Sequence, residues 1–408
     1  MIETDSSYTR LPLAEAVEFF RQKLNLPTRR WTELWQGEHS RAFVVAGAMK
    51  SALITDLREA VDKAIASGVT LDEFRRDFDK IVNRHGWSYN GGRGWRTRVI
   101  FDTNVRAAYV AGRYRQMTDP DVLGSRPYWE YRHGDSVTPR LLHLSWNGLV
   151  LPWDDPWWKT HYPPNGWGCK CKVFALSRRD MEGIGKTEPD DAPDDGTYEW
   201  KSKDGTRSGT IPNGIDPGWD YNVGETAWGR PLAEASMNEW RAQKADSWQK
   251  LVTSGPETYK RPERIPLDAA RAAIGRKETG MDGMRAAVER SIGGAEKVFD
   301  VPGGVPVLVD AATLAAHVDP ARSAYLPFLD ELLTDPFEVW LSFEKHLGTG
   351  KVELRARVIK AVATGGKDGL LLVAQVKGGI LEAWTFIPVR DIDYINRQRM
   401  GALLYGRK

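Results

Sequence analysis

Apolar residues recur at helical spacing through roughly the first 120 residues of the chain. An amphipathic helix ending at Gly68 is predicted by apolar residues at intervals of four: Val45, Met49, Leu53, Leu57, Val61 and Ile65. Thr70 and Glu73 have capping-box spacing and predict a second helix that ends at Gly86. A third helix is predicted from about Trp95 to Met117, and we interpret its arginines as a solvated face: Arg96, Arg98, Arg106, Arg113 and Arg115.

The pattern changes between residues 125 and 175, where Pro, Gly and aromatic residues dominate. The stretches "YWEYRHG" and "CKVFAL" predict short strands. The Pro-rich sequence between them predicts an irregular segment that needs an internal anchor. A hairpin turning at Asp204-Gly205 is predicted next, and then a helix near residues 230–252.

The tail of the chain predicts a compact α+β pattern. "VPVLVD" predicts a strand, "AATLAAH" and "SAYLPFLDELL" predict helices, and three strands follow, "VELRARVIKAVA", "GLLLVAQVK" and "ILEAWTFIPV". We therefore predict a multidomain α+β protein with a mainly helical N-terminal part and a small C-terminal domain with an antiparallel sheet. The predicted boundaries are 1–255, with helices over 10–120 and loops and short strands over 125–230, a linker over 256–295, and a last domain over 296–408.

Composition adds one asymmetry to this picture. The chain has 17 Trp, and all but Trp340 and Trp384 lie before residue 260. Tryptophans serve equally well in a core or as anchors at a protein interface.

A net charge of +2 indicates no particular partner. Because neither a secretory signal nor a run of about 20 apolar residues is visible, we expect a cytoplasmic protein without a membrane span.

The candidate metal ligands lie in the irregular segment. "HYPPNGWGCKCKV" holds both cysteines, Cys169 and Cys171, and His143 and His161 lie upstream. Cys and His are zinc ligands, so the four residues predict a structural zinc site. Reduced, packed thiols are an equally open interpretation, since the Cys-x-Cys spacing is narrower than usual. A disulfide would close a strained ring, and a catalytic thiol has no visible activating partner.

The order of the motifs resembles the phage head morphogenesis family typified by the Mu F minor head protein. The matching residues are Asn104, Arg106, Tyr109, Gly112 and Arg113, then Arg140, His143 and Gly148, then Pro163, Pro164, Cys169 and Cys171. Lys170 replaces the arginine usual between the two cysteines. The resemblance covers roughly residues 10–230 and marks Arg106, Arg140, His143 and Pro164 as structural motif residues.

This resemblance implies a minor head protein that acts in capsid assembly and is carried in the virion. The partners that it implies are portal, capsid and scaffold proteins. Packaged DNA is a further expected partner of the helix arginines, through salt-dependent phosphate contacts that read no sequence. The expected locations are the phage head interior and the host cytoplasm.

The tail resembles the phage barnase/EndoU/colicin/RelE-like nuclease domains over about residues 300–408. The residues that carry this resemblance are Asp335, Pro336, Glu338 and Trp340, and then Arg399, Gly401 and Tyr405. The resemblance implies a metal-independent endoribonuclease fold with RNA as its substrate.

RNA cleavage without metal needs groups that move protons and a cation that stabilises the charged phosphate. The candidate catalytic residues are His317, Arg355, Arg357, Thr385 and Glu338, with His346 as the second choice of histidine. His317 could equally bond to helix-end carbonyls, and Glu338 could serve only as an ion-pair partner. Two alternatives to a head protein with a nuclease tail stay open. One is a structural assembly protein with an inactive docking tail, and the other is a virion-delivered toxin that requires an immunity protein.

Overall fold

The computed structural model describes residues 13–136, 138–231, 248–251 and 254–407. The chain divides into two compact units, and each is treated by itself below. The first comprises Met1–Ala245 and Leu347–Val352, and the second comprises Asp246–His346 and Glu353–Lys408. In the described ranges, no helix is long and apolar enough to cross a membrane.

The first unit is mainly helical. Its helices are α1 (Ala14–Arg21), α2 (Ser51–Ser67), α3 (Leu71–His85), α4 (Arg93–Met117), α5 (Pro120–Ser125), α6 (Leu141–Ser145), α7 (Trp158–His161), α8 (Arg178–Gly183) and α9 (Val223–Trp228). Two 3-10 helices cover Trp31–Glu33 and Gln36–Ser40. The buried faces of α1 to α4 share one apolar cluster with the aromatic residues that follow them.

Short strands hold the irregular part of the first unit. A parallel pair joins β1 (Leu24–Asn25) to β2 (Ala42–Phe43). The strand β3 (Tyr128–Arg132) lies between β4 (Val150–Pro152) and β5 (Lys172–Leu176), with both pairings antiparallel. The hairpin of β6 (Thr197–Lys201) and β7 (Ser208–Pro212) confirms the predicted turn at Asp204-Gly205.

The predicted helix ends are confirmed, but one predicted start is wrong. Gly68 and Gly86 end α2 and α3 in the left-handed conformation, and the Thr70–Glu73 capping box is present. The helix α2 begins at Ser51, after Val45 and Met49. Gly47 precedes it with a φ of +88°, which the helical repeat cannot accommodate, so the apolar periodicity there extends beyond the helix.

The predicted solvated face of α4 is confirmed for Arg98 and Arg115, which are exposed, and is wrong for Arg96. Arg96 is buried and donates to the Asn90 carbonyl at 2.6 Å. Arg106 donates to the Cys169 carbonyl at 2.8 Å. Arg115 pairs with Glu18 of α1 at 2.6 Å. Arginine satisfies several carbonyls at once with its planar fork, and here it ties α4 to neighbouring segments.

Most tryptophans of the first unit pack inside it. Trp129, Trp146 and Trp158 are fully buried and make edge-to-face contacts with other aromatic rings. Trp31 and Trp167 are 38% and 40% exposed, with ring centroids 6.0 Å apart. Trp157 and Trp219 are buried as well, and Trp95 is exposed, so among the described residues of this unit the core interpretation holds for five tryptophans while three lie at the surface.

The second unit is built on one large sheet. Its helices are α10 (Met281–Ile292), α11 (Ala311–His317), α12 (Leu329–Thr334) and α13 (Ile392–Asn396), with 3-10 helices at Pro256–Tyr259 and Pro320–Phe328. Its strands are β8 (Trp248–Lys250), β9 (Asp268–Ala269), β10 (Glu296–Val301), β11 (Val305–Asp310), β12 (Glu338–His346), β13 (Val352–Ala363), β14 (Gly369–Lys377), β15 (Ile380–Val389) and β16 (Ala402–Gly406).

The sheet order is β10-β11-β15-β14-β13-β12-β16 in the described chain, with β8 paired to β12 and β9 to β13. The strands β13, β14 and β15 have the bounds that the sequence predicted and form the antiparallel meander. Successive side chains of β13 alternate between faces, so Arg355, Arg357 and Ile359 share one face of the sheet. The α+β class is confirmed.

Residues 256–295, predicted as a linker, contribute to the second unit throughout. Arg261 pairs with Glu338 at 2.8 Å, and Arg271 pairs with Asp335 at 2.6 Å. The strand β9 pairs with β13, and α10 buries Met284 and Val288. The Pro and Arg residues before α10 belong to a chain held by these ion pairs. The helix predicted near 230–252 lies mostly outside the described residues, and its described end forms β8.

Candidate functional site

The first candidate site is the His-Cys-Cys centre, formed by His143, Cys169 and Cys171. Cys169 and Cys171 end the irregular segment directly before β5, and His143 lies on α6. All three residues are buried, and one ligand atom of each lies within 4.8 Å of the others. Among the described residues, this is the group of three or more His, Cys, Asp or Glu that could hold a metal ion.

The distances in the centre match a tetrahedral zinc site. His143 Nδ1 lies 3.5 Å from Cys171 Sγ and 3.8 Å from Cys169 Sγ. Zinc bonds of about 2.3 Å to sulfur and about 2.0–2.1 Å to nitrogen, at tetrahedral angles, separate such ligand atoms by about 3.5–3.8 Å. The two nitrogen-to-sulfur distances therefore agree with the edges of a zinc tetrahedron.

The second nitrogen of His143 favours the same assignment. Its Nε2 lies 2.7 Å from the Gly214 carbonyl oxygen, which can only accept a hydrogen bond. Nε2 therefore carries the proton, and Nδ1 presents its lone pair to both sulfurs. A histidine held in this way by a carbonyl is the usual arrangement of a metal ligand.

The thiols occupy contrasting environments. The hydrogen bond with Cys169, followed by contacts with His143 and Tyr131, lowers the pKa of Cys171 to about 4. The same contact and burial raise the pKa of Cys169. Zinc binds thiolates, so binding of a zinc ion to this pair would release protons.

His161, the fourth predicted ligand, is not part of the centre. Its ring stacks on Trp157 with centroids 4.3 Å apart, and its Nδ1 lies 3.2 Å from the Trp157 carbonyl. Burial lowers its pKa to about 4, so the ring is neutral at neutral pH. His161 lies close to the cysteines in the sequence, but its position at the end of α7 places its ring among the aromatic side chains of the core.

The motif residues named from the sequence fasten the loop before Cys169. Arg106 binds the Gly168 and Cys169 carbonyls, at 3.2 and 2.8 Å. Arg140 binds the Trp167 carbonyl and pairs with Asp216. Pro164 follows a cis peptide bond from Pro163. The contacts of Arg106 and Arg140 anchor the irregular segment, which the sequence predicted would need an internal anchor.

Sequence reasoning missed two parts of this anchor. Asp216 accepts from the Trp167 amide at 2.8 Å and from Arg140 at 2.6 Å, and only the turn-like "GIDPG" could have indicated it. Gly134 passes so close to Lys170 that a Cβ atom would lie 2.1 Å from its carbonyl oxygen. The glycine of "RHGD" is therefore required by close backbone approach.

In the second unit, the predicted catalytic residues fall into three groups. Glu338, the first, is fully buried. It accepts two hydrogen bonds from Arg399, at 2.7 and 2.8 Å, and others from Arg261 and Trp340. Both carboxylate oxygens are matched by donors, so Glu338 acts as the anion of a buried ion pair and is out of reach of a substrate.

His317 and Thr385 form the second group. The Thr385 hydroxyl donates to the His317 carbonyl at 3.0 Å, and the His317 ring lies on Trp384. His317 Nδ1 bonds to the Thr313 carbonyl at 2.7 Å, as the helix-end interpretation anticipated. That bond leaves Nε2 as the ring nitrogen for any proton transfer.

Arg355 and Arg357 form the third group, together with a residue that sequence reasoning missed. Both pair with Glu344 of β12, Arg355 through Nη1 at 3.1 Å and Arg357 through Nη2. Arg357 also donates to Ser342 Oγ at 2.5 Å and to Gln398 Oε1 at 3.1 Å. We call these five residues the sheet-face cluster. Glu344 alternates with Ser342 in "WLSFE", and that period was the available signal.

Comparison with known proteins follows the same division. Residues 55–174 match the family described as "Phage Mu protein F like protein". Over nearly its whole length the chain is 30% identical to "Putative capsid assembly protein F" of Escherichia phage Mu, with 92% of this chain and 93% of the relative covered. The chain belongs to the Mu F-like family.

Other comparisons extend this assignment. The Mu F-like chain is 34% identical over 234 residues to the "Mu-like prophage FluMu F protein" of Haemophilus influenzae, covering 50% of this chain and 55% of that protein. Residues 284–406 match the family described as "phage-Barnase-EndoU-ColicinE5/D-RelE like nuclease2". Both resemblances seen in the sequence are confirmed. No solved structure matches the chain.

Proposed function

We propose that this Mu F-like protein acts in phage head assembly, is carried in the virion, and ends in a domain that cleaves RNA without a metal ion. The observation that carries the assembly part is the match along 92% of the chain to a relative named as a putative capsid assembly protein. Portal, capsid and scaffold proteins are the partners of this proposal, and packaged DNA is a further one.

Fractionation of heads tests the assembly part. Assembled heads are purified from cells that carry the phage genes, and the protein is sought in empty and DNA-filled particles. We expect it to co-sediment with both and to stay associated after the DNA is digested. Recovery of the protein only in the soluble fraction would contradict the proposal.

We also propose that the His-Cys-Cys centre holds one zinc ion as a structural fastening. Support comes from the 3.5 and 3.8 Å separations and from the Gly214 carbonyl behind His143. His143, Cys169 and Cys171 would be the ligands. A bound zinc ion would join α6 to the strand entry at β5 and take up the charge of the thiolates.

The nuclease proposal rests on Arg355, Arg357, His317 and Thr385. Arginine guanidinium groups suit phosphate, and two of them share one face of β13. The imidazole Nε2 of His317 is left for proton transfer. The resemblance of residues 284–406 to nuclease domains supports RNA as the substrate.

Incubation of the full chain with RNA in EDTA tests this proposal. We expect cleavage, and we expect Arg357→Ala or His317→Ala to slow it by about 10²–10³-fold, the usual loss when a group that stabilises charge or moves a proton is removed. Arg322→Ala, at an arginine outside the three groups, is the matched control. No cleavage by the wild type, or equal cleavage by all variants, would overturn the nuclease assignment.

A further inference from the structure

The nuclease-like sheet receives a strand from outside the matched nuclease family region. The match begins at residue 284, whereas β8 comprises Trp248–Lys250. The strand β8 pairs antiparallel with the end of β12, with His346 opposite Trp248 and Glu344 opposite Lys250. Residues opposite each other in a ladder share a face of the sheet, so Trp248 lies on the face of the sheet-face cluster.

Trp248 covers the guanidinium of Arg355. The Arg355 Cζ atom lies 4.2 Å from the centroid of the indole ring, and the edge of His346 meets the same ring with centroids 5.0 Å apart. A guanidinium over the face of tryptophan is attracted by the ring quadrupole. Ring and cation are both held by the sheet, so the contact fixes the plane of the guanidinium.

Arg355 carries a buried donor that has no acceptor among the described residues. Its Nη1 bonds to Glu344 Oε2 at 3.1 Å, while its Nε is buried and has no hydrogen-bond partner. Burial without a partner is costly for a donor on a charged group. Arg357, two residues away on the same face, instead has acceptors for its Nε and both terminal nitrogens.

We propose that Trp248 is a positioning residue for the proposed ribonuclease: it stacks on Arg355 and holds that guanidinium ready to bind a phosphate group of RNA. The proposal rests on the proposed function. It also makes the functional nuclease unit longer than the matched family region, because Trp248 lies 36 residues before that region begins. Trp248 acts through Arg355 and does not itself touch the reacting atoms.

The test is steady-state RNA cleavage by the full chain in EDTA, with Trp248→Ala, Trp248→Leu and Trp248→Phe. We expect Trp248→Ala and Trp248→Leu to raise KM about 2- to 30-fold at unchanged kcat, which corresponds to one cation–π contact. Trp248→Phe should restore most of the affinity, because it keeps an aromatic face. Gln249→Ala, exposed on the same strand, is the matched control and should leave KM unchanged.

A double-mutant cycle completes the design. If Trp248 acts through Arg355, adding Trp248→Ala to Arg355→Ala should change KM no further. A purely structural role would reduce the active fraction, so kcat would fall, KM would stay, and Leu would serve as well as Phe. That result, or additive effects in the cycle, would overturn the positioning role while leaving the nuclease intact. No cleavage by the wild type would overturn the proposed function and this inference together.

Discussion

The His-Cys-Cys centre of the first unit and the Glu338 ion pair of the second both bury polar groups, but in opposite ways. His143, Cys169 and Cys171 bring one nitrogen and two sulfur atoms within 4.8 Å of one another, an arrangement that a cation would complete. Glu338 is already complete, because Arg399, Arg261 and Trp340 donate to both of its oxygens. The first arrangement is thus the proposed zinc site, whereas the second holds the fold together.

The sheet-face cluster lies between these extremes. Glu344 is paired with both arginines, yet Arg355 keeps a buried donor without an acceptor. Arg357 differs, because its Nε and both terminal nitrogens have acceptors. The comparison therefore sets the proposed zinc fastening of the first unit against a structural ion pair and a proposed phosphate-binding cluster in the second.

The largest expected effect comes from removing a ligand of the His-Cys-Cys centre. Cys169→Ser should abolish zinc binding, because serine does not supply a thiolate, and should lower the melting temperature of the first unit. Metal analysis of the purified protein should give about one zinc per wild-type chain and none for the variant.

His161→Gln is the control for this experiment, since His161 stacks on Trp157 outside the centre. It should retain zinc. If Cys169→Ser binds zinc as well as the wild type does, or if the wild type binds none, the packed-thiol interpretation replaces the zinc site.

The next largest effect is expected at the structural ion pair. Arg399→Met leaves Glu338 buried with only part of its donors, so it should lower the free energy of unfolding by about 3–5 kcal/mol. The loss is measured by denaturant unfolding, with a probe that reports on the second unit. Arg397→Met, whose arginine is 64% exposed, should cost less than about 1 kcal/mol. Equal losses of unfolding free energy in the two variants would contradict the structural role of the Glu338 ion pair.

The smallest effect is expected on zinc affinity, when a side chain that contacts a proposed zinc ligand is changed. The Tyr131 hydroxyl donates to Asn165 at 2.9 Å and lies against Cys171. Tyr131→Phe should weaken zinc binding by about 10–100-fold, the usual cost of losing a group behind a ligand. Competition with a chromogenic chelator measures the affinity. Tyr198→Phe is the control. It removes a hydroxyl that donates to the Ile215 carbonyl and should leave the zinc affinity unchanged.

Local patterns predicted much of this fold. The capping box at Thr70, the glycine helix ends and the three strands of the meander follow from side-chain chemistry within a few residues. Ordered motifs also brought His143 together with the two cysteines. Arg106 and Arg96 were misread because a helix arginine shows no sign in sequence of the distant carbonyls that it binds.

What the sequence could not indicate depends on contacts between distant segments. Glu338 looked catalytic until Arg261 and Arg399 enclosed it, from 77 and 61 residues away. Glu344 was missed because what distinguishes it is its pairing with Arg355 and Arg357, which lie on the neighbouring strand. Trp248 was missed because three residues of strand are too short to show a period. Pairing with β12 makes it part of the sheet.

The most direct test of this division of roles is RNA cleavage by the zinc-free Cys169→Ser chain, beside the zinc-loaded wild type, in buffer without added metal or chelator. A fastening in the first unit and metal-independent chemistry in the second predict that it cleaves at the wild-type rate, provided that the second unit keeps its own unfolding transition. Loss of cleavage together with zinc, while that transition is intact, would contradict the account and make the His-Cys-Cys centre part of the chemistry.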